Sequence, residues 1–288
     1  MTNTGCVPTG QVVAAVPPRP APREPGPAAN RWAQVGLAPA AGRSRELLGE
    51  LAEVVRNWRA RQVVEDFFFM HKPPGLRVRF APAPGRASFV RAELIRLARA
   101  WYAAGLVASA ESGEYEPEEH LFGGAESMAH VHRLFTEDAT TWLACHAPPR
   151  PAPAWALSLA MLRPLFDALG LDARREGAVW TCVAGAGRAV PGGVGADEAA
   201  DGIRRLWRDQ DGLLAMLPDD LRGLATRHAE RVTPLAAAWA GSLGPGEEAA
   251  AVAWYVVFHW NRAALTFGKQ VLLTEALTTG GQGRGDVR

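Results

Sequence analysis

Lysine is almost missing from this chain of 288 residues, because only Lys72 and Lys269 of its 31 basic residues are lysines. Arginine in place of lysine, with abundant Ala, Gly and Pro, is typical of GC-rich coding, so arginine content alone indicates no function. The 31 basic residues are balanced by 30 acidic residues. The chain therefore lacks the overall basic field that general nucleic-acid binding requires.

Cysteines and long apolar runs are also scarce. Cys6, Cys145 and Cys182 stand far apart, which favours neither a disulfide framework nor a zinc site and fits a reducing cytoplasm. The longest apolar run, 249–258, falls well short of the ~20 residues that span a bilayer. No basic segment followed by an apolar core begins the chain. We expect a soluble cytoplasmic protein without membrane contact.

The ends of the chain differ in composition from its middle. Residues 1–30 contain seven prolines and few large apolar side chains, and we expect this segment to be disordered. A single folded domain is predicted over 31–277, a length ample for one sizeable core. Residues 278–288 are expected to form a disordered tail.

Strand patterns dominate the first half of the chain and helix patterns the second. Hydrophobic periodicity, caps and turn residues predict the following elements: strands at 32–37, 63–70, 76–81 and 106–115, and helices at 44–61, 88–105, 126–146, 154–169, 197–217, 219–241 and 249–277. This order predicts an α+β fold, with a mainly antiparallel sheet covered by helices and a mainly helical C-terminal half. The Gly-rich segment 185–193 lacks a phosphate-loop pattern and is predicted to be a surface loop.

Two arginines on one predicted strand are the strongest candidate site. Arg77 and Arg79 share one face of that strand, while alternate apolar residues face a core. Neighbouring guanidiniums repel each other unless an anion lies between them. Two exposed strand cations paired with nearby carboxylates would give the same pattern.

Two further segments carry polar residues of interest. The acidic, aromatic segment 115–124 contains Tyr115 and Glu118 and ends in two glycines; it reads as a turn whose acids could supply countercharge to the arginines. In the predicted helix over 249–277, the spacing places His259 and Arg262 on one side of an apolar stretch. Such a histidine is more often a satisfied core residue, but Asn261 beside it favours a site.

Four segments, in this order, carry a resemblance to a known family: HKPPGLRVRF, YEPEEHLFGG, MAHVHRLFTEDATTWL and FHWNR. The chain from 32 to about 273 resembles the thiopeptide-type bacteriocin biosynthesis domain, which is related to the C-terminal glutamate-elimination domain of lantibiotic dehydratases. The resemblance implies chemistry on a ribosomally made precursor peptide. A separate tRNA-dependent enzyme esterifies Ser or Thr with glutamate, and the elimination domain removes that glutamate to give dehydroalanine or dehydrobutyrine.

The resemblance also implies roles for individual residues. Arg77 and Arg79 match the family's strand arginines and would clamp the glutamate carboxylates, and His259 would transfer the proton. Asn261 and Arg262 would orient His259 or the peptide. Tyr115 and Glu118 are the other predicted substrate contacts. The reaction needs no metal or organic cofactor, and no direct contact with nucleic acid is expected; a homodimer remains open.

The chain departs from the family pattern at one position. Elimination members usually carry an arginine before the Phe/Tyr-Gly-Gly segment, where this chain has Leu121; Arg133 or Arg262 would have to replace that cation. Two alternatives therefore stay open beside elimination. A related branch forms the central pyridine of thiopeptides from two dehydroalanines by a formal four-plus-two aza-cycloaddition. The second alternative is a non-catalytic partner, which binds the leader peptide through an exposed edge strand.

Overall fold

Four β-strands in the N-terminal half form one antiparallel sheet in this computed structural model, which describes residues 32–148, 152–189, 197–244 and 246–278. The strands are β1 (Ala33–Pro39), β2 (Val64–Lys72), β3 (Gly75–Pro82) and β4 (Val107–Gly113), and their order across the sheet is β2-β3-β1-β4. Helices α1 (Ser44–Ala60) and α2 (Ala87–Ala103) connect strands of this half. The predicted disordered ends, 1–30 and 278–288, lie outside the described residues except for Thr278, which ends the last helix.

Helices dominate the rest of the described chain. They are α3 (Ala125–His146), α4 (Ala154–Ala168), α5 (Ala173–Val183), α6 (Asp197–Arg208), α7 (Gln210–Ala215), α8 (Asp219–Ala240), α9 (Glu248–Arg262) and α10 (Phe267–Thr278). The predicted α+β class, with a helical C-terminal half, is confirmed. Within the described residues no helix is long and apolar enough to cross a membrane.

Three predictions about the helical half were wrong. The helix expected over 249–277 is two helices, because the chain turns between Arg262 and Phe267, where Ala264 has a φ of 53°. The helix expected over 197–217 is interrupted by Asp209, whose carboxylate caps α7 by accepting from the Gly212 N–H at 2.9 Å. Helix α5 was not predicted, and the first part of the Gly-rich segment continues it as a π-helical turn over Ala184–Arg188. Residues 190–193 of the predicted loop lie outside the described residues.

Both faces of the sheet are covered. On one face Phe80 of β3 contacts Trp58 of α1, with ring centroids 4.8 Å apart. On the other face Phe68 of β2 contacts Phe135 of α3 at 5.2 Å. The register pairs Phe68 with Arg79, so the arginine face of β3 meets α3 and the chain after β4 instead of solvent. This placement buries Arg79 and half-buries Arg77.

The β2–β3 hairpin packs tightly against β1. Pro73 and Pro74, joined by a cis peptide bond, form its turn. A Cβ on Gly75 would lie 2.4 Å from Cδ of Pro39 and 2.8 Å from the Leu37 carbonyl oxygen, so a side chain has no room there. The close approach fixes Arg77 and Arg79 opposite β1.

Candidate anion site and the buried Asp138 network

The side chain of Arg79 is buried, with 4% of its surface exposed. Its Nε donates to Oε1 of Gln34 at 2.7 Å, and its guanidinium carbon lies 4.5 Å and 4.9 Å from the ring centroids of Tyr115 and Phe68. Nη1 has no hydrogen-bond partner, and no carboxylate forms a salt bridge with Arg79, within the described residues. Burial lowers the pKa of this guanidinium. A buried cation with a neutral partner is an electrostatic cost that a bound anion would offset.

Two further cations lie near Arg79. Arg77 is half-buried beside Met70 and Gly36 in the sheet register, so the predicted shared face of the two arginines is confirmed. Lys72 Nζ lies 5.6 Å from the centroid of Phe258 on α9. Burial lowers the pKa of Lys72, Glu118 opposes this shift, and the charges of Arg79 and Arg77 add to it. The hairpin therefore concentrates positive charge at one place.

The loop after β4 supplies the other wall. Tyr115 is buried, and its hydroxyl lies 2.9 Å from Nε2 of His132 on α3. Burial, and then the charge of Glu118, raises the pKa of Tyr115. Oε2 of Glu118 is buried with no hydrogen-bond partner in the described chain, and its charge raises the pKa of Arg79. The loop thus brings one countercharge near the arginines without neutralising them in a salt bridge.

The glycine pair ends this loop as expected. Gly123 and Gly124 have φ values of 83° and 97°, a region that disfavours other residues. Pro117 precedes a single 3-10 turn, Glu119–Leu121. This turn is the only helical structure between β4 and α3 in the described chain. The loop conformation places Tyr115 and Glu118 against the sheet.

Gln34 holds Arg79 in place, a role that no sequence pattern indicated. Its Nε2 donates to the Glu114 carbonyl at 3.0 Å while its Oε1 accepts from Arg79. The register opposes Gln34 to Gly113 on β4, where a Cβ would lie 2.5 Å from Gln34 Nε2. Gly113 therefore leaves the space that this amide needs.

A second buried charge centre surrounds Asp138 of α3, which no sequence pattern indicated. Its Oδ1 lies 2.6 Å from Nδ1 of His259, and its Oδ2 accepts from Nε of Arg262. Burial would raise the pKa of Asp138, but the charges of His259 and Arg262 hold that pKa well below its usual range. The predicted common side of His259 and Arg262 is confirmed, since both contact this carboxylate.

His259 is engaged at both ring nitrogens. Nε2 lies 2.9 Å from Oγ of Ser158, which also accepts from Nε1 of Trp260 at 3.1 Å. The order Ser158–His259–Asp138 is that of a hydrolase triad, but the three residues are 0%, 1% and 0% exposed. The three side chains are closed to solvent and satisfy one another as a polar network in the core.

Arg262 extends from this network toward the sheet. Its guanidinium carbon lies 4.2 Å from the centroid of Phe135, and Nη1 lies 3.6 Å from Sδ of Met70, the register partner of Arg77. Nη2 has no hydrogen-bond partner in the described chain, and the charge of Arg262 lowers the pKa of Arg79. Of the two arginines considered as replacements for the cation missing at Leu121, Arg262 thus lies near the anion site.

Two other residues that the sequence singled out, Arg133 and Asn261, do not join the anion site. Arg133 is exposed and lines a pocket on α3 with Glu65 and Glu137. Asn261 is half-exposed, and its side chain makes no hydrogen bond to the described residues. Among those residues no three His, Cys, Asp or Glu side chains are grouped as metal ligands would be. The structure brings together Arg77, Arg79, Tyr115 and Glu118, with Arg262 linking them to the Asp138 network.

The family model "Lantibiotic biosynthesis dehydratase C-term" matches residues 32–277. The chain belongs to this family. The matched domain covers both the sheet that carries Arg79 and the helices that carry Asp138.

A solved structure has the same fold. The crystal structure of the tRNA-dependent lantibiotic dehydratase MibB from Microbispora sp. 107891 matches with a TM-score of 0.67 at 17% identity, covering 90% of this chain. The match spans 28% of the MibB chain. No curated protein matches this chain.

Proposed function

We propose that this chain removes glutamate from glutamylated Ser and Thr residues of a precursor peptide, giving dehydroalanine and dehydrobutyrine. One observation carries the proposal. Arg79 is buried, faces Tyr115 and Phe68, lacks a carboxylate partner within the described chain, and keeps Nη1 free of protein hydrogen bonds. Membership in the dehydratase C-terminal family supports a glutamate carboxylate as this anion.

Charge explains how the site would assist elimination. The base removes the α-proton, the C–H electron pair forms the new double bond, and the Cβ–O bond breaks so that glutamate leaves as a carboxylate. Arg77, Arg79 and Lys72 outnumber Glu118 locally, which favours the negative charge that develops on the leaving group. Arg79 binds a carboxylate through the fixed geometry of its guanidinium.

Two histidines are candidates for the proton acceptor. The sequence-based proposal assigns this role to His259, whose nitrogens contact Asp138 and Ser158. His132 instead contacts the hydroxyl of Tyr115, whose ring lies under Arg79. Because a base must lie within reach of its proton, we propose that His132 acts through Tyr115 and that His259 positions Arg262. Loss of glutamate release in His259→Gln, with an unchanged unfolding midpoint, would return the role to His259.

The decisive experiment incubates the protein with chemically glutamylated peptide and measures free glutamate and peptide mass. Arg79→Ala should leave glutamylated peptide accumulating, with a rate loss of about 10²-fold, since one interaction that stabilises transition-state charge is removed. Arg222→Ala is the control, because Arg222 is an exposed arginine paired with Asp219 on α8. Normal dehydration by Arg79→Ala would exclude the clamp.

The same assay tests the second candidate, pyridine formation by cycloaddition. Leu121 favours this candidate, because it replaces the arginine that elimination members usually carry and lies half-buried against the core. If the protein ignores glutamylated peptide but converts an already dehydrated peptide to a macrocycle with release of a leader fragment, cycloaddition replaces elimination. A protein that binds the leader and does neither reaction is the non-catalytic partner.

A further inference from the structure

The two edge strands of the sheet, β2 and β4, differ in how far other elements cover them. At the β2 edge, α3 packs alongside, and the Phe67 N–H donates to Oγ1 of Thr136 at 3.0 Å. At the other edge, the residues of β4 after Val107 are exposed except for the half-buried Ser109. An open edge presents unpaired backbone N–H and C=O groups that an extended chain can bind. In the described sheet, β4 is the edge where strand addition has room.

A groove of about 850 Å³ runs beside this edge. One wall is β4 with the start of β1, and the other is α2, from which Ile95 and Tyr102 project. These two side chains are seven residues, about two turns, apart on the helix, and they are 45% and 62% exposed. Large apolar side chains exposed in a concave site are typical of a binding surface.

The lining limits the occupant to a peptide. The strand offers a ladder of backbone groups, which only another extended backbone matches along its length. Arg99 stands on the α2 wall, so an acidic residue in the occupant would be favoured at that side. Glu114 lies at the far end of the groove.

We infer that an extended segment of the precursor peptide binds in this groove as a fifth strand beside β4, with apolar side chains against Ile95 and Tyr102. The inference rests on the proposed function and names where its substrate is held. It assigns β4 and α2, rather than the arginine face, as the surface that recognises the peptide away from the reacting residue.

The groove leads to the anion site. β4 ends at Gly113, and the chain continues through Glu114 to Tyr115, which lies against Arg79. Gln34 lines the groove and also accepts from Arg79 Nε. A peptide held along β4 would therefore reach, at one end, the residues that position Arg79. Recognition at the edge and chemistry at the arginines would occur on one continuous peptide.

The first test measures binding of a fluorescein-labelled synthetic peptide that has the leader sequence of the precursor peptide. Fluorescence anisotropy with the full-length protein should show saturable binding. Ile95→Glu should weaken it about tenfold or more, as expected for an anchor residue. The matched control is Phe89→Glu, because Phe89 is on the same helix and is 44% exposed, against 45% for Ile95, but does not line the groove.

The second test addresses the backbone. Two versions of the peptide carry N-methyl groups on alternate amides, one on the odd and one on the even positions. Only one edge of an added strand faces β4, so one version should lose binding and the other should keep it. Amide hydrogen exchange should slow over 107–113 when the unmodified peptide is added.

Several outcomes would overturn the inference. These are absence of binding up to about 100 µM peptide, equal loss in Ile95→Glu and Phe89→Glu, or equal binding by both methylated peptides. Slow amide hydrogen exchange over 107–113 in the absence of peptide, together with dimer formation that rises with protein concentration, would assign this edge to a second copy of the chain. This binding assay uses unglutamylated peptide and is separate from the assay with glutamylated peptide. Binding in the first assay with no glutamate released in the second would leave this inference standing while the elimination proposal fails.

Discussion

Two buried arginines, Arg79 and Arg262, differ in the group that faces their charge. Both are at most 4% exposed, and both lie over aromatic rings. Arg262 donates to the carboxylate of Asp138, whereas Arg79 donates to the amide of Gln34. A paired charge contributes to a stable core, and an unpaired one leaves binding capacity for an external anion. On this basis we propose that Arg79 is the main anion ligand, and that Arg262, held by Asp138, stands beside it as a supporting charge.

Removing each arginine in turn tests this difference most strongly. Arg262→Met should cost about 3–5 kcal/mol of unfolding free energy, because Asp138 loses its arginine partner while buried. Arg79→Met should change the free energy of unfolding by less than about 1 kcal/mol, since a neutral partner is left behind. Urea denaturation followed by circular dichroism measures both. Equal destabilisation would remove the distinction between the two sites.

The second largest effect should be a loss of folding stability in acid, caused by His228 near Asp138. His228 is buried, which lowers its pKa to about 4, with the charge of Asp138 opposing the shift. The unfolded chain protonates this histidine near pH 6.5 and the folded chain does not, so its contribution to stability is lost as the pH falls from 6.5 to 4. The loss is about 1.4 kcal/mol per pH unit for each such group.

Denaturation midpoints at several pH values measure that effect. His228→Asn should flatten the pH dependence in this range, while a neutral substitution of an exposed histidine, His120→Asn, should not. An unchanged slope in His228→Asn would show that other groups, among them His71 with its pKa lowered to about 4 by burial and by His146, dominate.

The smallest expected effect concerns the neutral partner of Arg79. Gln34→Ala removes one hydrogen bond to a charged group, and Gly113→Ala should displace the same amide by steric contact. Each should lower carboxylate affinity by about 1 to 2 kcal/mol, measured as the KM for glutamylated peptide. Because both act through Gln34, the double variant should resemble the single variants. Full additivity would contradict a shared mechanism.

Local patterns were sufficient for much of the sheet. Alternation predicted that Arg77 and Arg79 share a face, and the Pro-Pro-Gly turn predicted the hairpin. The strand 63–70 is longer in the structure, Val64–Lys72, because Lys72 pairs with Gly75 across the tight turn. The break before α10 contains no Gly or Pro, so residue type gave no signal for the turn at Ala264.

The candidate site needed contacts that a local pattern does not contain. Asp138 and His259 are separated by 121 residues, and Tyr115 reaches His132 from a different element. An aspartate within α3 is equally compatible with an exposed helix position, so periodicity could not identify its role. Gln34 was missed for the same reason, since only the register with Gly113 shows what it holds.

The position of β1 has a consequence for the order of folding. β1 is made first but lies in the middle of the sheet, and the contacts of Gln34 span 45 residues to Arg79 and 80 residues to Glu114. The β2–β3 hairpin forms from adjacent residues, whereas β1 pairs only across long chain separations, which form slowly. Arg79 therefore gains its amide partner, Gln34, only when β1 pairs with β3. The arginine that is proposed to bind substrate is positioned by a long-range step of folding and not by its own hairpin.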